Sequence, residues 1–181
     1  MTESFKITVP DRDIDALHHR LDLTRWSDQI GAPWQYGTDV DYLKELCRYW
    51  RHDFDWRRQE AALNRFAQFE MSLDGHRLHF VHQRSTHSNA EPLLLTHGWP
   101  GSFSEFVHVI DPLTQPERYG GDPDDAFHVV CPSIPGYGFS RAPTEPGFQP
   151  RACAILFGRL MEMPLHLFGD RTAANKSGLR A

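Results

Sequence analysis

The spacing of apolar residues divides the chain into a helical first part and a strand-rich second part. In residues 1–65, apolar side chains recur every three or four positions, which predicts amphipathic helices. The first helix opens at Pro10-Asp11, the second is capped by Thr38-Asp39, and a third covers about residues 55–64. The apolar stripes of the first two consist of Ile14, Leu17 and Leu21, and of Val40, Leu43, Leu46, Cys47 and Trp50.

From Phe66 onward the pattern changes to strands that alternate with helices. Residues 66–73 and 77–84 predict a hairpin joined at Asp74-Gly75, a strong short turn signal. Residues 93–96 and 127–131 are nearly pure apolar runs, as in strands buried on both faces. Helices are predicted over 103–110, ended by Asp111-Pro112, and over 152–163, and a last strand over 165–168.

These elements predict an α/β fold: an antiparallel hairpin, then parallel strands with helices, preceded by a helical meander. Residues 1–65 form the helical N-terminal region in this interpretation, and residues 66–170 the first part of the α/β core. Residues 171–181 have almost nothing to bury and are expected to be a frayed tail.

One strand–turn–helix segment has the features of a site that stabilises negative charge. The apolar run ending at Thr96 stops at His97-Gly98-Trp99-Pro100, and Ser102-x-x-Glu105 then predicts a capping box at a helix start. Backbone N–H groups at such a turn point outward, and the helix dipole adds to their field. The segment therefore predicts an oxyanion strand of an enzyme.

Composition excludes several other classes of protein. The net charge of −5, without a basic stripe, argues against nucleic-acid binding. Apolar runs of four or five residues cannot span a bilayer, and the first residues lack a signal-peptide profile. Three widely spaced cysteines, Cys47, Cys131 and Cys153, indicate reduced, buried thiols and a cytoplasmic location.

Histidines on the predicted hairpin invite a metal-binding interpretation, which the strand period disfavours. His76 and His82 face one side of a strand and His79 the other, so the three side chains cannot converge on one ion. We therefore expect no metal site here.

Three blocks of residues carry a resemblance to a known family. They are the segment from Tyr49 to Phe66 (YWRHDFDWRRQEAALNRF), the turn His97-Gly98-Trp99-Pro100, and the loop Gly136-Tyr137-Gly138-Phe139-Ser140. In this order and spacing the chain resembles the microsomal-type epoxide hydrolases, on the α/β-hydrolase fold, from about Phe5 to Pro150.

The resemblance implies a mechanism without metal or organic cofactor. An aspartate attacks an epoxide carbon and forms an ester, which water activated by a histidine then hydrolyses to a vicinal diol. The N–H of Trp99 is one of two donors to the ester oxyanion, and His97 supports the loop rather than transferring protons. The substrate is a small-molecule epoxide, and the family points to detoxification and the catabolism of aromatic hydrocarbons.

The match weakens where the nucleophile is expected. Asp170 is the sole candidate, because no other aspartate follows Asp125, but Phe168 and Arg171 replace the small residue and the tryptophan usual beside it. The catalytic histidine, its carboxylate partner and the lid tyrosines belong to the family's C-terminal half. We therefore expect a truncated relative whose 181 residues turn over little or no substrate.

Two alternatives remain open. A haloalkane dehalogenase shares the His-Gly-x-Pro turn and an aspartate nucleophile, although the block from Trp50 to Phe66 counts against it. A non-catalytic fragment is the other possibility, since a partial sheet leaves an apolar edge strand through which the chain could self-associate or bind another chain.

Overall fold

A computed structural model describes residues 2–163 of the chain. The chain divides into two compact units, one of residues Ile7–Ala62 and one of Met1–Lys6 together with Leu63–Ala181. The predicted strand at 165–168, the tail at 171–181 and Asp170 lie outside the described residues.

The unit of residues 7–62 contains three helices where the sequence predicts them. These are α1 (Asp11–Asp22), α2 (Val40–His52) and α3 (Trp56–Leu63). Asp39 caps α2, because its carboxylate accepts the Tyr42 N–H at 2.9 Å. Neither α1 nor α2 has a fully buried residue, and between them lies an apolar groove of about 750 Å³. This unit therefore exposes most of its apolar face.

The other unit is built on a five-stranded mixed sheet. Its strands are β1 (Thr2–Ser4), β2 (Gln68–Leu73), β3 (His76–Gln83), β4 (Glu91–Leu94) and β5 (Phe127–Pro132). Their order is β1-β2-β3-β5-β4, with β4 and β5 parallel and the other neighbours antiparallel. This arrangement confirms the predicted mixed α/β fold.

The β2–β3 hairpin turns at the two residues predicted from the sequence. Leu73 pairs with His76, which leaves Asp74 and Gly75 as a two-residue loop with φ of 49° and 80°. Two consecutive left-handed residues are the signature of the turn type whose twist matches antiparallel strands. The turn fixes the register in which His79 points away from His76 and His82.

Helices cover both faces of this sheet. Helix α5 (Pro150–Glu162) packs Leu156, Phe157 and Leu160 against Leu78 and Phe80 of β3. On the opposite face, the ring of Phe103 contacts that of His79 at 5.1 Å between centroids. Strands β3 and β5 are consequently buried on both faces.

The helix predicted over 103–110 is wrong. A 3-10 helix spans Phe103–Phe106, and a separate α4 begins at Ile110 and ends at Thr114. Glu105 alone among those eight residues is a strong helix former, so the segment does not sustain an α-helix. Pro112 does not end a helix but lies in the first turn of α4, where its missing N–H costs no hydrogen bond. Further 3-10 helices span Pro116–Tyr119 and Pro123–Asp125.

The apolar run at residues 93–96 is less buried in the described part of the chain than the sequence predicts. Within residues 2–163, β4 is an edge strand, its ladder begins two residues earlier than predicted, and Leu93 and Leu94 are only half-buried. Pro92, which has no N–H to donate, suits an edge strand. The β5 run, by contrast, has neighbours on both sides and is fully buried as predicted.

The structure agrees in part with what the sequence predicts for the three cysteines. All three thiols are free, but Cys47 is half-buried while Cys131 and Cys153 are buried. Burial raises the pKa of Cys131 to about 12, so that thiol is not a nucleophile.

In the described part of the chain, no helix combines the length and apolar character needed to cross a bilayer.

Candidate active site

The parallel pairing of β4 and β5 brings two loops together at one edge of the sheet. Leu94 pairs with Val130 at the end of the ladder, and beyond it the Ile134 N–H reaches the His97 ring at 3.0 Å. The carboxyl ends of parallel strands are where α/β proteins bind their ligands. The turn after β4 and the loop after β5 therefore form one candidate site.

His97 joins these two loops through its ring. Its Nε2 accepts the backbone N–H of Ile134 at 3.0 Å, and its Nδ1 lies 3.0 Å from the Gly98 carbonyl oxygen. Because a backbone N–H can only donate, Nε2 carries no proton, and Nδ1–H donates to the Gly98 oxygen. The side chain is 3% exposed, so this neutral tautomer is fixed by buried partners. A ring with a hydrogen bond on each nitrogen can support the loop, which is the role that the family resemblance implies for His97.

The bond to Gly98 also orients the next amide. The Gly98 carbonyl and the Trp99 N–H belong to one peptide unit, in which the two groups point in opposite directions. Since His97 holds the carbonyl, the Trp99 N–H is turned away from the ring. No atom lies within 4 Å of where a Gly98 Cβ would stand, and the Trp99 residue is 80% exposed. The turn is thus uncrowded at Gly98 and exposed at Trp99.

The rest of the turn is close-packed. The Trp99–Pro100 peptide bond is cis. A Cβ on Gly101 would lie 3.0 Å from the Gly98 oxygen and would overlap the Glu105 carboxylate. The Ser102 hydroxyl accepts the Ser104 N–H at 3.2 Å rather than forming the predicted box with the third helical residue.

Behind this turn lies a buried polar cluster centred on His79. Its Nε2 lies 2.9 Å from Gln68 Oε1 and its Nδ1 lies 2.9 Å from Ser133 Oγ. The Gln68 amide nitrogen donates to the Leu63 carbonyl at 2.9 Å, which fixes Oε1 as the acceptor of the His79 Nε2–H. Nδ1 therefore accepts the Ser133 hydroxyl proton. The rings of Phe5, Phe103 and Phe139 surround the imidazole at 4.8, 5.1 and 5.3 Å between centroids.

The Gly136–Ser140 loop is fastened to this cluster. The Ser140 hydroxyl donates to the Ser133 carbonyl at 2.7 Å and accepts the His79 backbone N–H at 2.9 Å. Gly138 has φ of 52°, and a Cβ there would stand 2.6 Å from Ser133 Oγ. The glycine and the serine of this motif are therefore required by close packing around Ser133.

The structure describes only one of the two predicted catalytic residues. Trp99 lies in the turn just described, whereas Asp170 lies outside the described residues. In residues 2–163, no three His, Cys, Asp or Glu side chains are grouped as metal ligands would be. His79 does point away from His76 and His82: His76 contacts Phe148, and His82 contacts Phe69.

Sequence reasoning missed the shared role of His79, Ser133 and Ser140. The strand pattern marks His79 only as a possible metal ligand, and the loop motif contains Ser140 without connecting it to His79. The available signal was the apolar surroundings of His79: in a strand predicted to be buried, a histidine needs partners on both ring nitrogens.

Comparisons with known proteins identify the family and the fold. The family model for the epoxide hydrolase N terminus matches residues 2–106, and a model of the α/β-hydrolase fold matches residues 91–172. A Stigmatella aurantiaca protein named as an epoxide hydrolase is 47% identical over 159 residues, covering 87% of this chain and 36% of its own. Epoxide hydrolase 1 of Oryctolagus cuniculus is 40% identical over 162 residues, with the same coverage.

Solved structures give the same result. Aspergillus niger epoxide hydrolase superposes with a TM-score of 0.77 at 33% identity, over 90% of this chain and 43% of that one. The juvenile hormone epoxide hydrolase of the silkworm Bombyx mori gives 0.79 at 30% identity, with the same coverage. The fold is that of an α/β hydrolase. The chain belongs to the epoxide hydrolase family, and it spans about a third of the length of the curated relatives it matches.

The contact between Gly138 and Ser133 can be tested with two glycine substitutions. Gly138→Ala is expected to lower the free energy of unfolding by about 2–4 kcal/mol, from left-handed backbone strain and overpacking together. Gly136→Ala, at φ of 90° with its nearest neighbour 3.8 Å away, should cost only about 1–2 kcal/mol. Urea unfolding measures both; equal losses would show that the approach to Ser133 is unimportant.

The burial of His79 predicts a pH dependence of stability. Burial lowers its pKa from 6.5 to about 4. Between pH 6.5 and 4, His79 is protonated in the unfolded chain but neutral in the folded chain. The free energy of unfolding therefore falls as the pH drops from 6.5 toward 4. We expect His79→Gln to flatten this slope by about 1 kcal/mol per pH unit, measured by urea unfolding between pH 6.5 and 4.5. An unchanged slope would contradict the burial of a neutral imidazole.

Proposed function

We propose that this chain takes part in the hydrolysis of an epoxide to a vicinal diol through an aspartyl ester. The observation that carries the proposal is the peptide between Gly98 and Trp99: the His97 ring holds its carbonyl, so its N–H points away from that ring. A donor preset in that way is suited to an oxyanion, because it needs no reorganisation when charge develops. Membership in the epoxide hydrolase family favours an epoxide over the haloalkane of a dehalogenase.

Asp170 is the proposed nucleophile. The argument is topological: a right-handed crossover after β5 and α5 would bring the predicted strand at 165–168 alongside the open edge of β4. The carboxyl end of that strand would then lie next to the turn that holds Trp99. A carboxylate oxygen of Asp170 would bond the epoxide carbon while the carbon–oxygen bond of the ring breaks and the alkoxide takes a proton from solvent water.

The second half of the reaction defines the role of Trp99. Water attacks the ester carbonyl carbon and gives up its proton to a general base, and the carbonyl oxygen becomes an oxyanion. The Trp99 N–H would bind that oxyanion until the intermediate collapses to the diol and the free carboxylate. The three motif blocks found in this chain do not contain the water-activating histidine that the resemblance implies. We therefore propose that the 181 residues by themselves form the ester but do not hydrolyse it at a useful rate.

The family also suggests a setting. We propose an aromatic or other apolar epoxide as substrate, neither metal nor organic cofactor, and a role in detoxification or the catabolism of aromatic hydrocarbons in the cytoplasm. The ordinary apolar share of the chain, 40%, and its acidic net charge of −5 are compatible with this setting.

Covalent labelling tests the nucleophile. Incubation of the 181-residue protein with styrene oxide is expected to add the mass of one epoxide, with the label on Asp170 by peptide mapping. Asp170→Asn should lose the label because an amide does not attack the ring, whereas Asp125→Asn, a matched change in a 3-10 helix, should retain it. Label that persists in Asp170→Asn, or a wild-type chain that gains no label, would refute the assignment. Sustained diol formation would refute the proposed lack of ester hydrolysis.

A second candidate function is a non-catalytic one, in which the chain binds a second copy through its sheet edge. The observation in its favour is β4, an edge strand of the described residues with Leu93 and Leu94 half-exposed. An unpaired apolar edge favours pairing with another strand.

Sizing measurements test that candidate. The chain is expected to form dimers in concentration-dependent size exclusion, and Leu93→Lys should shift it toward monomer by placing a charge on the edge. Leu23→Lys, on a leucine that is 65% exposed in the other unit, is the matched control and should leave dimers intact. A monomer at all concentrations would contradict self-association, as would equal effects of the two lysines.

A further inference from the structure

The turn that holds Trp99 is the end of a continuous series of hydrogen bonds. It starts in the core, where the His79 backbone N–H donates to Ser140 Oγ at 2.9 Å. The Ser140 hydroxyl donates in turn to the Ser133 carbonyl at 2.7 Å. That carbonyl and the Ile134 N–H form one peptide unit, so the next donor points away from Ser140.

The series continues through the imidazole ring of His97. The Ile134 N–H donates to Nε2 at 3.0 Å, and Nδ1–H donates to the Gly98 oxygen at 3.0 Å. The Gly98 carbonyl again shares a peptide unit with the next donor, the Trp99 N–H. Every donor in the series therefore points the same way, from the core toward the open end of the turn.

We propose that Ser140 is a positioning residue that, through the Ser133–Ile134 peptide and the ring of His97, sets the tautomer of His97 and aims the Trp99 N–H at the site. The inference rests on the proposed function for the purpose of that N–H, and deepens it. It gives two of the family-like motifs, the one at 97–100 and the one at 136–140, a single physical task.

Two effects give Ser140 this influence. The first is orientation, since its hydroxyl donates a hydrogen bond to the Ser133 carbonyl and so determines where the Ile134 N–H points. The second is polarisation: hydrogen bonds aligned head to tail strengthen one another, by roughly 10–30% per bond in condensed phases. An anion bound by the Trp99 N–H would therefore polarise the aligned hydrogen bonds as far back as His79.

A neighbouring serine provides a matched comparison. The Ser133 hydroxyl belongs to the same buried cluster, but it donates to His79 Nδ1 at 2.9 Å and lies off the series. Removing it leaves the Ser133 carbonyl and the Ile134 N–H in place. Both serines are buried, with 8% exposure for Ser140 and 0% for Ser133, so either loss disturbs the core. Only the loss of Ser140 breaks the series.

The first measurement needs no variant. Long-range proton–nitrogen NMR of the 181-residue protein should show His97 protonated on Nδ1 and bare on Nε2. A His97 ring protonated on Nε2 would overturn the proposal at once.

The second measurement compares variants by amide hydrogen exchange. In Ser140→Ala, the Ile134 amide should exchange about fivefold faster relative to the Leu95 amide, the factor that one neutral hydrogen bond is worth. Leu95, which donates to the Val130 carbonyl at 2.9 Å within the sheet, reports any general loss of stability. The Nε2–H tautomer of His97 should also appear. Ser140→Thr, which keeps a hydroxyl, should restore both readouts, and Ser133→Ala should change neither relative to Leu95.

The outcomes separate this inference from the proposed function. Unchanged readouts in Ser140→Ala, or equal changes in Ser133→Ala, would overturn the positioning role. Because neither readout involves an epoxide, this result does not depend on labelling of Asp170. If Ser140→Ala does not fold, Ser140→Cys takes its place, because a thiol is only a weak donor; the same changes at Ile134 and His97 are expected, and wild-type readouts would overturn the positioning role.

Discussion

The hydrogen bond from the Ile134 amide to His97 Nε2 is the contact on which the candidate site depends. It joins the loop after β5 to the turn after β4, and it decides which ring nitrogen carries the proton. The opposite tautomer would set two N–H donors against each other at Nε2 and leave the Gly98 oxygen without its donor. One backbone amide therefore determines both the ring's protonation and the direction of the Trp99 N–H. A single amide can have both effects because β4 and β5 are parallel and their carboxyl ends lie side by side.

The buried cluster behind the turn shows why such a contact can be held firmly. A polar group in a core is costly unless it is hydrogen-bonded, and a fully satisfied network permits very few arrangements. His79 has a partner on each ring nitrogen and aromatic rings around it, and burial keeps it neutral by lowering its pKa to about 4. Ser133 is held through both its hydroxyl and its backbone. The cluster thus specifies one geometry for the loop, rather than merely adding stability.

The sequence predicts elements whose signals are local, and errs where neighbours decide the outcome. The Asp74-Gly75 turn and the helices α1, α2 and α5 follow from residue spacing and turn chemistry alone. The segment 103–110 has an apolar period, yet weak helix formers let tertiary contacts such as Phe103 on His79 shape it into a short 3-10 helix. The apolar run at β4 has the composition of a central strand, but among residues 2–163 only β5 pairs with it.

The candidate site also has a part that can be predicted from the sequence and a part that cannot. The turn at His97–Pro100 and the donor at Trp99 can be predicted because a motif and its backbone geometry lie within a few residues. The partnership of Ser140 with His97 cannot, because it passes through a peptide at Ser133–Ile134 that has no distinctive side-chain pattern. Once the parallel register is known, however, the pairing of Leu94 with Val130 places the segments that follow both strands at the same edge of the sheet. Topology, rather than any extra sequence signal, is what turns two separate motifs into one oriented donor.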